Sequence, residues 1–158
     1  MLKYCLTKWD QNKKLLEERL KNDSTLNSYY YDDLVKLVVD YILNDGGPTS
    51  ETYKPKWDCD HITVIDNGKY QGTLLFLIPL KTYQPSEDEY LMTYVGYGSC
   101  SGCDTLQAIQ GWSEKVLTEK QVKDFMILCK DLLTNMIKPY NYGWRFDKDF
   151  EEVECKEE

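Results

Sequence analysis

The chain has 158 residues, 42% of them hydrophobic, and 27 acidic against 19 basic residues leave a net charge of −8. That length fits one domain able to bury roughly 68–70% of its unfolded surface without a disulfide or metal staple. No stretch approaches the ~20 apolar residues of a membrane span. Arginine is reduced to Arg19 and Arg145, so the chain lacks the clustered cations that displace counterions from phosphates, and direct nucleic-acid binding is not expected.

A negative chain either stays in solution by self-repulsion or is steered to a basic protein surface, and both readings stand. The opening Met1-Leu2-Lys3-Tyr4-Cys5 lacks the apolar core and cleavage site of a signal peptide, which predicts an intracellular protein. Six cysteines, at 5, 59, 100, 103, 129 and 155, show no disulfide framework and are expected as reduced thiols. Thirteen tyrosines stand against four phenylalanines. A buried tyrosine needs a partner for its hydroxyl, so many should lie half-exposed, as they do at protein interfaces. Compositional drift in a Lys/Asn/Tyr-rich chain explains the ratio equally well.

The apolar spacing of Trp9, Leu16 and Leu20 predicts a helix over 8–21. Ser24 is placed to cap a second helix running to about Asn44, with Leu26, Tyr30, Leu34, Leu37, Val38, Tyr41 and Ile42 as a wide stripe. Asp45-Gly46-Gly47-Pro48 stops it. These helices form the 8–44 part of a single 1–158 domain.

β-Branched content predicts a strand at His61–Ile65, a tight Asn67-Gly68 hairpin turn that uses positive φ, and a strand from Tyr70 to Leu80. The run Leu74–Ile78 is apolar on both faces, which predicts a central strand covered on both sides. A loop carrying Glu87-Asp88-Glu89 leads to a third strand, Tyr90–Tyr97. The 61–97 region therefore reads as a three-stranded antiparallel meander.

The 98–138 part is a cysteine corner followed by helices. Asp104 and Gln107 predict a short capped helix over 105–110. Thr118 and Gln121 predict the cap of a long helix to about Lys138, with Val122, Phe125, Met126, Cys129, Leu132, Leu133 and Met136 on its buried side and Pro139 ending it. The tail 147–158 holds seven acids and two lysines, a net −5. The expected fold is α+β: the meander packs against the two N-terminal helices and the long C-terminal helix.

The chemically suggestive stretch is Tyr97-Gly98-Ser99-Cys100-Ser101-Gly102-Cys103-Asp104. A Cys-x-x-Cys pair before a helix suits a thiol–disulfide centre, although the carboxylate of Asp104 beside it opposes a thiolate. It also supplies two of the four ligands of tetrahedral zinc, with Cys59 and His61 as the other pair. In a 1-2-3 meander the start of strand one and the end of strand three lie at opposite ends of the sheet, which opposes that joint site. The same separation opposes a cysteine nucleophile served by His61 and Asp60. Asp58, Asp60 and Asp66 are a further candidate cation set. The reading taken forward is structural: small residues closing a strand-to-helix corner, with no cofactor expected. No GxGxxG, P-loop, HExxH or GxSxG signature occurs.

Asp66-Asn67-Gly68-Lys69-Tyr70-Gln71-Gly72-Thr73 and the Tyr97–Gln107 stretch with its YGSCSGCD motif resemble small uncharacterised proteins of bacteriophages and prophages of low-GC Gram-positive bacteria. The resemblance covers about Ile62 to Trp112. It implies the cytoplasm of an infected or lysogenic host, and an accessory protein that binds and modulates or inhibits a host protein, defence systems included. That places a non-enzymatic binder of a host or phage protein first, a metal or thiol site on Cys100 and Cys103 second, and an acidic DNA-mimic inhibitor third.

Overall fold

The computed structural model of the protein describes residues 1–23, 29–111 and 116–138. In chain order its elements are α1 (Leu2–Lys21), α2 (Tyr31–Leu37) continuing as a π-helical segment (Val38–Leu43), a 3-10 turn (Cys59–His61), β1 (Thr63–Asp66), β2 (Gly72–Pro79), β3 (Tyr90–Tyr97), α3 (Thr105–Gln110) and α4 (Glu119–Thr134). The strands form one antiparallel sheet in the order β1-β2-β3. This is the expected α+β meander with helices from both sides of the sequence. Among the described residues no helix is long and apolar enough to cross a membrane.

α1 starts at Leu2, six residues earlier than its spacing suggested, because Cys5 extends the stripe. Cys5, Trp9, Asn12, Leu16 and Leu20 fall at steps of three and four, and all are buried. The expected cap at Ser24 lies outside the described residues. α2 begins at Tyr31, and the Asp33 carboxylate caps it by accepting from the Tyr30 N–H at 2.8 Å. Tyr30 therefore stands outside the helix and is 75% exposed, whereas the periodicity had put it in the buried stripe.

From Leu34 onward the helix is buried nearly all round, with Leu34, Val35, Val38, Val39 and Ile42 at 0% exposure. Such a helix is a core element rather than a surface one. Its final turns widen: Asn44 N–H reaches back to Val39 at 2.8 Å, and the Ile42 carbonyl accepts from Asn12 Nδ2 of α1 at 2.9 Å. Asp45, Gly46 and Gly47 then all take positive φ, so the expected glycine stop is present. A Cβ at Gly47 would lie 2.7 Å from the Tyr41 ring, because the chain doubles back against its own helix.

Asn44 is the pin of the following loop. Only 2% exposed, it accepts from the N–H groups of Lys56 and Trp57 at 2.9 Å each and donates to the Trp57 carbonyl at 2.9 Å. Trp57, fully buried, is thereby held beside Leu80, with which it forms a bridge.

β1 is shorter than expected: His61 belongs to the 3-10 turn, where Asp58 caps by accepting from Asp60 N–H. The link to β2 runs from Asn67 to Gln71, and Gly68 does not use positive φ. Its lack of a side chain answers crowding instead, since a Cβ there would lie 2.2 Å from the Gln71 carbonyl oxygen.

In register, Val64, Phe76 and Thr93 share one face, as do Asp66, Leu74 and Val95. On that face Phe76, Ile78, Leu91 and Thr93 are buried completely. The other face is covered less: Leu75 and Leu77 are half-buried, and Ile65 and Tyr94 are exposed, so β2 lacks the expected full cover on both sides.

α4 opens on the expected box, with Gln121 N–H donating to Thr118 Oγ1 at 3.2 Å and Thr118 N–H to Gln121 Oε1 at 2.9 Å. Val122, Phe125, Cys129, Leu132 and Leu133 are buried along it. Thr93 Oγ1 donates to the Leu132 carbonyl at 2.6 Å and ties helix to sheet. The helix ends at Thr134, short of Lys138, because Ile137 turns away to pair with Met92 through two backbone hydrogen bonds of 2.9 and 2.8 Å. That pairing occupies part of the outer edge of β3. The acidic tail 147–158 lies outside the described residues.

Asn44→Ala removes the three hydrogen bonds that tie the 56–57 backbone to the end of the helix. It should lower unfolding free energy by about 2–3 kcal/mol in urea titration, whereas a loss under about 0.5 kcal/mol, the level of an ordinary surface substitution, contradicts the pinning role.

Candidate functional site

The cysteine corner is built by Gly98 and closed by Asp104. A Cβ at Gly98 would lie 2.4 Å from the Cys103 carbonyl oxygen and 2.7 Å from its sulfur, so glycine lets the loop fold onto the end of β3. Cys103 N–H donates to the Cys100 carbonyl at 3.0 Å, closing a turn that puts both sulfurs on one side, 2.6 Å apart and exposed. Cys100 N–H also donates to Cys103 Sγ at 3.1 Å.

The Asp104 carboxylate is bonded to groups other than the sulfurs. It is 5% exposed and accepts from Gly98 N–H at 3.0 Å, Gln107 N–H at 2.9 Å and Tyr31 O–H at 3.3 Å. Burial pushes the Tyr31 hydroxyl up to about 12, which keeps it a donor. The Cys103 thiol is held below the ordinary value of 9.0, first by the hydrogen bond from the Cys100 thiol and then by the N–H groups of Cys100 and Ser99. The opposition expected from Asp104 is thus met by turning its charge into a buried node.

Beside the corner opens a cleft of about 600 Å³. Its floor is the inner face of the sheet at Val64, Leu74 and Phe76. One wall is the segment Tyr29–Asp32 at the start of α2. The other is α3, through Leu106, Gln107 and Gln110. Tyr97 closes the end, its hydroxyl donating to Asp66 Oδ1 at 2.6 Å. That bond, with Gly68 N–H at 2.9 Å, lowers the Asp66 pKa and keeps it a carboxylate. Among the described lining residues four are tyrosines and three are aspartates, and none is lysine, arginine or histidine.

The other sequence candidates lie elsewhere. β1 begins opposite Leu77 and Met92, whereas β3 ends opposite Gly72, so Cys59 and His61 sit at the far end of the sheet from Cys100 and Cys103. Cys59 donates to Asp40 Oδ1 at 3.1 Å, an oxygen that also accepts from Tyr53 O–H at 2.5 Å. Burial, then the Asp40 carboxylate, pushes the Cys59 thiol up to about 12. His61 Nδ1 pairs with Asp58 at 2.8 Å rather than with Asp60 or a sulfur. Asp66 is engaged by Tyr97 and Gly68, at the other end from Asp58 and Asp60. Among the described residues no three His, Cys, Asp or Glu side chains gather as a metal site. For zinc, only the two sulfurs of the corner come together. The loop acids are partly spent on structure: Glu89, 7% exposed, accepts from Ser86 N–H at 3.0 Å, and Asp88 accepts from Ser86 Oγ at 2.6 Å.

No protein-family model matches the chain, and no curated protein or solved structure is significantly similar to it. The cleft is what sequence reasoning missed. Its one local signal is the run Tyr29-Tyr30-Tyr31-Asp32-Asp33, aromatic and acidic where a helix starts.

Alkylation by iodoacetamide, followed by peptide mass mapping across pH, reads the thiols directly. Cys103 should react faster near neutrality than Cys59 or Cys129, which burial holds at about 12, and its rate should level off below pH 9.0. A Cys103 rate still climbing through that pH contradicts the hydrogen-bonded thiolate.

Proposed function

We propose that the tyrosine-lined cleft is a non-catalytic binding site, and that it takes a lysine- or arginine-bearing segment of another protein. The observation carrying this reading is the lining: an apolar, aromatic cleft of about 600 Å³ whose charged groups, among the described residues, are carboxylates. An ammonium or guanidinium on an aliphatic stem suits both parts, with its stem on Leu74 and Val64 and its charge near Asp32 and Asp66. Tyrosine faces add cation–π attraction of about 0.5–1 kcal/mol at exposed sites. The net charge of −8 steers a basic partner toward the protein. The resemblance to phage and prophage proteins supports, as that partner, a host or phage protein in the host cytoplasm, bound so as to modulate or inhibit it, as an anti-defence factor does.

A lysine- and arginine-rich peptide titrated into isotope-labelled protein should shift the amide resonances of Asp32, Val64, Tyr97 and Gln107. Asp32→Lys should weaken that binding about tenfold, equivalent to ~1.4 kcal/mol, and added salt should weaken it further as charges are screened. A matched glutamate-bearing peptide serves as control. Shifts that fall elsewhere, or an Asp32→Lys variant that binds as well as the parent, contradict the proposal.

A further inference from the structure

Among the described cysteines, Cys5 and Cys129 are buried and Cys59 is half-buried against Asp40, which leaves Cys100 and Cys103 as the exposed ones. Their sulfurs are 2.6 Å apart, close to the roughly 2.05 Å of a disulfide bond. The turn that holds them is closed by the Cys103 N–H to Cys100 carbonyl bond of 3.0 Å, which keeps the two sulfurs in contact.

We propose that Cys100 and Cys103 are a redox-active dithiol that reduces disulfides by exchange, Cys103 as the attacking sulfur and Cys100 as the resolving one. This goes beyond the cleft reading and does not rest on it. The roles follow from the hydrogen bonds. As a thiol Cys103 Sγ donates to the Cys100 carbonyl at 3.2 Å; once ionised it keeps the Cys100 N–H at 3.1 Å and the adjoining Cys100 thiol as donors, whereas Cys100 Sγ has no N–H donor among the described residues. The lowered pKa of Cys103 agrees with that assignment. Asp104 does not oppose it, being spent on three donors in the interior.

The substrate is a disulfide, RS–SR. The Cys103 thiolate attacks one sulfur, a Cys103–SR bond forms, the RS–SR bond breaks, and the first RS⁻ leaves to take a proton from solvent. Cys100 then gives its proton to solvent and attacks Cys103 Sγ. The Cys100–Cys103 bond forms as the Cys103–SR bond breaks, and the second RS⁻ departs and is protonated. Two electrons pass from the two thiols to the substrate disulfide. A thiol reductant reverses the sequence and restores the pair.

The test is reaction of the full chain, under native conditions, with hydroxyethyl disulfide, a small neutral substrate that does not depend on the carboxylate-lined cleft. The parent protein should release two thiols per chain and lose two hydrogens by intact mass, with peptide mapping placing the new bond between Cys100 and Cys103. Cys100→Ser should release one thiol and trap a stable mixed disulfide on Cys103. Cys103→Ser should react more slowly than Cys100→Ser, and all three proteins should keep the same circular dichroism spectrum. The proposal is overturned if the parent accumulates mixed disulfides without closing the bond, or if the two serine variants react at equal rates. It is also overturned if the purified protein carries stoichiometric zinc that either variant releases, since the pair would then be metal ligands.

Discussion

The structure turns on one buried carboxylate. Asp104 has 5% of its surface exposed, yet no positive charge is among its hydrogen-bonding partners; neutral donors, the N–H groups of Gly98 and Gln107 and the Tyr31 hydroxyl, surround it. A carboxylate taken out of water is tolerated only when its oxygens are hydrogen-bonded, and bonds to an ionised acceptor are stronger than neutral ones, about 1.5–3 kcal/mol each. The Tyr31 oxygen in turn accepts from Leu106 N–H at 3.2 Å. One side chain thereby fixes the end of β3, the start of α3 and the start of α2 to a common point.

Both proposed sites, cleft and dithiol, adjoin that point. The three elements meet at Asp104, and β1 is only four residues long with every residue exposed. The inner face at Val64, Leu74 and Phe76 consequently forms a cleft floor. On the opposite side of Gly98 the chain folds back so tightly that Cys103 occupies the place of a side chain. Cleft and dithiol share Gly98 and Asp104, so the rigidity of both comes from the same node.

Much of the fold was legible because its signals are local. β3 and α3 occupy the residues expected of them, Tyr90–Tyr97 and Thr105–Gln110, since a β-rich run and an Asp cap three residues ahead of Gln107 specify their ends without help from distant residues. The Thr118–Gln121 box did the same for α4. The misplacements are tertiary. Ile137 left the helical pattern to pair with Met92 on β3, and Tyr30 left it because Asp33 caps the helix one residue later. Gly68 is needed for space against Gln71, which a turn rule based on φ does not register. Strand order alone correctly separated Cys59 and His61 from the corner. The cleft was not legible, because its lining comes from α2, β1, β2, β3 and α3, and its longest contiguous stretch is the four-residue run Tyr29–Asp32 at one wall.

Amide hydrogen exchange in Asp104→Ala measures the dependence most directly. Protection at Gly98, Leu106 and Gln107 should collapse, while the amides of α1 and of α4 beyond its first turn, which are bonded within their own helices, stay protected. If Gly98, Leu106 and Gln107 exchange as slowly in the variant as in the parent, Asp104 is not what joins β3, α3 and α2, and the account of both surfaces fails with it.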